Sequence, residues 1–137
     1  PSNHSFCLLK VKEGTDIAIL CIGNTIHIAK QVAKELENNG LEIGLFDFKF
    51  LKPLDKELAK QALDSYNYIF TMEDGTINGG FGSSIIEFAV SNNYHNKIEK
   101  IGIPDEFIEQ GSVKELQKVC KMDCESVKER ILRLKKA

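Results

Sequence analysis

Of the 137 residues, those able to do chemistry gather in one stretch. Gly79-Gly80-Phe81-Gly82-Ser83-Ser84 runs into a helical pattern. Successive amides at a helix start can cradle an anion. The alternative is a tight strand-to-helix turn, where glycines let backbones pack closely. Glu73 and Asp74 stand just ahead of the loop. They repel an anion, and the same carboxylates suit a metal ion, although solvated or capping roles are commoner for two adjacent acids. Gly23-Asn24-Thr25 is a second glycine turn, but G-x-G-x-x-G is absent, so it is no dinucleotide fingerprint.

The remaining reactive residues are scattered. His27 falls on a helical pattern, His95 in a loop and His4 in the tail, and no serine, cysteine and histidine converge by pattern. Cys7, Cys21, Cys120 and Cys124 are too few for a disulfide framework and fit no zinc spacing; they read as small core thiols of a reduced, cytoplasmic protein. Arg130 and Arg133 are the only arginines; every other basic residue is lysine. Arginine is the preferred bidentate clamp for phosphate and carboxylate, and none lies near the glycine loops. Glu73-Asp74-Gly75 with Asn92-Asn93 has the residue types of a thiamin-diphosphate metal motif. The spacing is too short and the leading glycine is missing, so that motif is rejected.

The elements that must position these residues alternate. Continuous apolar runs at 17–22 and 43–48 suit strands buried on both faces. Residues 6–11, 68–72 and 98–103 complete the strands. Helical spacing follows Asn24 or Thr25 as cap and ends at Asn39-Gly40. A second helix starts behind Asp55 and runs to about Leu63. A third carries Phe81, Ile85, Phe88 and Ala89 on one face. Ser112 and Glu115 form a capping box ahead of Leu116 and Val119, and Asp123 is expected to break that helix and cap a final one with Val127, Ile131 and Leu134 inward. Strands alternating with helices predict a mostly parallel sheet covered on both faces. Ligands in such sheets bind outside the carboxyl ends of the strands, where the turns after residues 22, 72 and 103 fall.

The chain is expected to form one domain over 1–137, with a core large enough to need no staples. Its net charge of −2 gives no electrostatic reason for a nucleic-acid partner, and no apolar run approaches the roughly 20 residues that span a bilayer. The fold signal is strong and an acid–base set is nearly absent. That balance favours a supporting or partner module over a whole enzyme.

Four segments resemble a known family. Gly14 through Gly23, Phe50-Leu51-Lys52-Pro53-Leu54-Asp55, and Glu73-Asp74-Gly75 with Gly79-Gly80-Phe81-Gly82-Ser83 resemble motifs of the transketolase C-terminal domain. The segment from Ile101 through Ser112 resembles the 1-deoxy-D-xylulose-5-phosphate synthase branch, with Gln110 where histidine is common. The resemblance covers about residues 8–134. It implies a three-layer α/β/α sandwich whose five-stranded, mostly parallel sheet has an antiparallel edge strand near 6–11.

It further implies a parent transferase that joins pyruvate to glyceraldehyde 3-phosphate with loss of carbon dioxide, feeding isoprenoid precursor synthesis. The parent uses thiamin diphosphate and Mg²⁺ held by two preceding domains; no cofactor or metal site is expected in this chain. The expected partners are those remaining domains and a second copy in a homodimer, with no nucleic acid and no membrane. Glu73, Asp74, Gly79, Gly80, Phe81, Gly82, Asp105 and Phe107 are expected at the interdomain surface, and no residue is expected to be catalytic. Residues 1–5 match nothing in the family and are expected to be a disordered or cloning-derived tail. The alternatives are the equivalent domain of a transketolase or of a 2-oxoacid dehydrogenase beta subunit, or a stand-alone module binding a small ligand. The 104–112 segment counts against the dehydrogenase.

Overall fold

The structure, a computed structural model, describes residues 10–49, 53–74, 80–103 and 113–136. Residues 1–5, Gly79, Asp105, Phe107, Ser112 and the first part of the expected 6–11 strand lie outside them. Five strands run in the order β1-β3-β2-β4-β5: β1 (Lys10–Lys12), β2 (Ile17–Ile22), β3 (Ile43–Phe48), β4 (Tyr68–Asp74) and β5 (Lys97–Ile103). β1 pairs antiparallel with β3 at one edge, and every other pairing is parallel. This is the sheet that the family resemblance implies.

Continuous apolar sequence is what a strand needs when helices cover both its faces. Ile17, Ala18, Ile19, Leu20 and Cys21 are all buried, as are Ile43, Leu45, Phe46 and Phe48. Helices α1 (Ile26–Asn38) and α4 (Val113–Lys136) cover one face, where Ile19, Leu45, Phe70, Val32, Leu36, Val127 and Ile131 share a cluster. Helices α2 (Lys56–Ser65) and α3 (Phe81–Ser91) cover the other, where Leu20, Phe46, Phe48, Leu58, Phe81 and Ile85 meet. Three layers follow directly from the two-sided burial of the strands.

Capping follows expectation at two positions and departs from it at two others. The Asp55 carboxylate accepts from the Leu58 amide at 3.0 Å, starting α2. Gly40, past the end of α1, takes φ 86°. At the head of α1 the Thr25 hydroxyl makes no capping bond into the helix. The expected break at Asp123 is also corrected: α4 is one helix from Val113 to Lys136. A mid-helix aspartate costs only about 0.7 kcal/mol against alanine, and no glycine or proline stands between Lys121 and Glu125 to add to it. Burial of Cys124, Val127 and Ile131 on the α1 side outweighs so small a penalty. The carboxyl group of Asp123 is pushed above its usual range by burial.

Candidate functional site: the carboxyl edge of the sheet

In the parallel part of the sheet, β2 is succeeded by β3 on one side and β4 on the other, so the chain changes winding direction between β2 and β4. Crevices of that kind hold ligands in open α/β sheets. Here the crevice is bridged. After β2 a single 3₁₀ turn, Gly23–Thr25, precedes α1, with Gly23 at φ 66°. Thr25 is fully buried. Its hydroxyl accepts from the Ile22 amide at 3.2 Å and lies 2.7 Å from the Ile22 carbonyl and 3.3 Å from the Met72 carbonyl. One hydroxyl thus ties the end of β2 to the end of β4.

The end of β4 and the start of α3 are joined by the chain's own groups. Strand β4 extends two residues beyond the expected 68–72, through Glu73 and Asp74. Side chains alternate along it, so Ile69, Thr71 and Glu73 share the face that α3 covers. Glu73 is only 5% exposed, and its Oε1 accepts from the Gly82 amide at 2.9 Å. The Gly82 amide is therefore occupied by the chain's own carboxylate. The end of β4 is thereby held against the start of α3. Gly82 is required for close approach: a Cβ there would lie 2.7 Å from both Thr71 Oγ1 and Lys100 Cγ. Lys100, opposite Thr71 on β5, sends its ammonium to Ser83 Oγ at 3.3 Å.

The structure brings Glu73 and Gly82 into contact and sets Gly80 at the head of α3. Asp74 is half-buried at the end of β4. Phe81 is wholly buried, edge-on to Phe48 with ring centroids 5.1 Å apart, so it points into the domain's own core. His27 and His95 are exposed. Among the described residues, no three His, Cys, Asp or Glu side chains converge as a metal site. Burial pushes the Cys21 thiol up. Burial, then the nearby Glu35 charge, pushes Cys124 up to about 12. Neither thiol is poised as a nucleophile.

Two connections escape sequence pattern. The Thr25 bridge needs the β2–β4 neighbourhood to be known. The pair between Lys128 of α4 and Glu35 of α1, at 2.9 Å, joins residues far apart in the chain. That bond, with one from Gln31, holds the Glu35 carboxyl below its usual range.

Comparison with known proteins agrees with this architecture. Residues 8–127 match the family described as transketolase, C-terminal domain. The chain belongs to the transketolase C-terminal domain family. Its similar relatives are 1-deoxy-D-xylulose-5-phosphate synthases. That of Azobacteroides pseudotrichonymphae genomovar. CFP2 is 42% identical over 118 residues, which is 86% of this chain and 19% of the relative. That of Parabacteroides distasonis is 44% identical over 121 residues, again 86% and 19%. The chain therefore spans about a fifth of the length of the curated relatives it matches. Among solved structures, a split gene transketolase described as an inactive beta4 tetramer superposes with a TM-score of 0.63 at 26% identity. The match covers 82% of this chain and 39% of that one.

Proposed function

We propose that this chain is the C-terminal domain of a cytoplasmic, homodimeric 1-deoxy-D-xylulose-5-phosphate synthase, and that within it the chain is a scaffold. The parent would condense pyruvate with glyceraldehyde 3-phosphate to give 1-deoxy-D-xylulose 5-phosphate and carbon dioxide, using thiamin diphosphate and Mg²⁺. The observation that carries the reading is identity above 40% to two such synthases along most of this chain and only a fifth of theirs.

The described residues do not fit the cofactor. A diphosphate needs free amides or cationic forks, and a Mg²⁺ ion needs converging oxygens. The Gly82 amide is taken by Glu73, the crevice beside β2 is bridged by Thr25, and no metal-ligating trio forms among the described residues. No chemical step is assigned to this chain. Its contribution is to present the carboxyl edge of its sheet to the domains that hold the cofactor. Asp74 and Gly80, with Gly79, Asp105 and Phe107 beyond the described residues, would form that surface. Glu73, Phe81 and Gly82 would shape it from behind.

The test is made in the full-length parent. Phe107→Ala is expected to weaken dimer assembly in sedimentation and to lower activity in proportion to the dimer lost. A pure fall in turnover, with dimer and stability intact, would contradict the scaffold role.

A further inference from the structure

Beneath the first turn of α3, two polar atoms are buried without a hydrogen-bond partner among the described residues: Thr71 Oγ1 and Glu73 Oε2. Thr71 is 0% exposed and Glu73 5%. They stand two residues apart on β4 and therefore face the same way, towards α3. Both flank Gly82. Glu73 Oε1 is 2.9 Å from its nitrogen, and Thr71 Oγ1 lies 2.7 Å from where its Cβ would be. Two unsatisfied atoms thus stand beside one residue.

The chemistry of the two atoms narrows what that molecule is. A carboxylate oxygen only accepts, so the occupant must donate to Glu73; a threonine hydroxyl takes either role. An anion is repelled by the carboxylate. A cation is opposed by the positive end of the α3 dipole and finds no third acidic, histidine or cysteine ligand among the described residues. The amine of Lys100, opposite Thr71 on β5, is directed to Ser83. Water donates to a carboxylate and takes either role toward a hydroxyl, and proteins hold about one buried water per 27 residues beside otherwise unsatisfied polar groups. We propose that Thr71 Oγ1 and Glu73 Oε2 bind one internal water molecule, which completes a clamp between β4 and the start of α3. The site is independent of the catalytic identity of the parent.

Thr71→Val in the full chain tests it, because the two cases have opposite signs. If the hydroxyl holds a bridging water, valine strands that water against Glu73, and the melting midpoint falls by about 3 °C or more. If the hydroxyl is an orphan, valine removes a buried unsatisfied group and the midpoint rises. A rise, or no change, overturns the proposal. A crystal structure of the unsubstituted chain, soaked in thallium(I), decides the matter even if the variant fails to fold. One water-sized peak about 2.8 Å from both oxygens, without anomalous signal, is expected. An empty site, or an anomalous peak marking a monovalent cation, overturns it.

Discussion

The chain makes two strand-to-helix turns side by side at the carboxyl edge, and they close differently. After β2, three residues suffice: Gly23 takes a positive φ, and Thr25 binds main chain at Ile22 and Met72. After β4, the turn is longer, and the chain reaches back nine residues to bring the Glu73 carboxylate onto the Gly82 amide. The first closure is neutral and local; the second places a charge at a helix start, where the dipole favours it. A parallel sheet can thus keep the layout of a binding fold while its own side chains occupy the binding positions.

The largest expected effect separates the two turns by their roots. Phe81 anchors the second turn in the core, edge-on to Phe48, whereas Thr25 is held by its hydroxyl. Phe81→Ala is expected to cost the domain about 3–5 kcal/mol in urea unfolding. A loss below about 1 kcal/mol would show that the ring contributes little to this core.

Next comes the charge. Glu73→Ala leaves the Gly82 amide without an acceptor, at about 1–3 kcal/mol, and should speed hydrogen exchange there. Glu73→Gln keeps an acceptor and should cost less. Equal losses for both variants would mean that the negative charge, and not the hydrogen bond, holds the second turn.

Thr25→Val is the counterpart at the first turn. It removes the hydroxyl while preserving shape, with an expected cost of about 1 kcal/mol and faster exchange at Ile22 but not at Gly82. Coupled exchange at both amides would show that the turns act as one unit.

The smallest effect lies on the opposite face, away from both turns. The hydrogen bond from Lys128 holds Glu35 low, so this group stabilises the fold above its unfolded value near pH 4.3, and the contribution fades as pH falls through the lower folded value. Lys128 is raised by the same bond, so its contribution is present below about pH 10.4 and fades above it. Glu35→Gln should remove about 0.5–1 kcal/mol at neutral pH and nothing at pH 2. An equal loss at both would assign the effect to packing.

The strands were readable because burial on both faces leaves no room for polar residues: 17–22 and 43–48 match β2 and β3 residue for residue. The direction of β1 came only through family resemblance, since antiparallel pairing at a short edge leaves no mark in three residues. The Asp123 expectation failed because a capping residue is a local preference that a 24-residue packed helix overrides. Of the site, the glycine turn was visible and its occupant was not. Extending the 68–72 alternation by two residues would have turned Glu73 inward beside Thr71 and Ile69, the one signal that pointed to an internal carboxylate. Which group that carboxylate meets depends on how far α3 folds back, and that is set by tertiary packing.

The claim that the reactive machinery lies on other segments of the parent is tested most directly by supplying the isolated 137-residue chain with pyruvate, glyceraldehyde 3-phosphate, thiamin diphosphate and Mg²⁺ and following 1-deoxy-D-xylulose 5-phosphate. No product above background is expected. Turnover by this chain alone would contradict it.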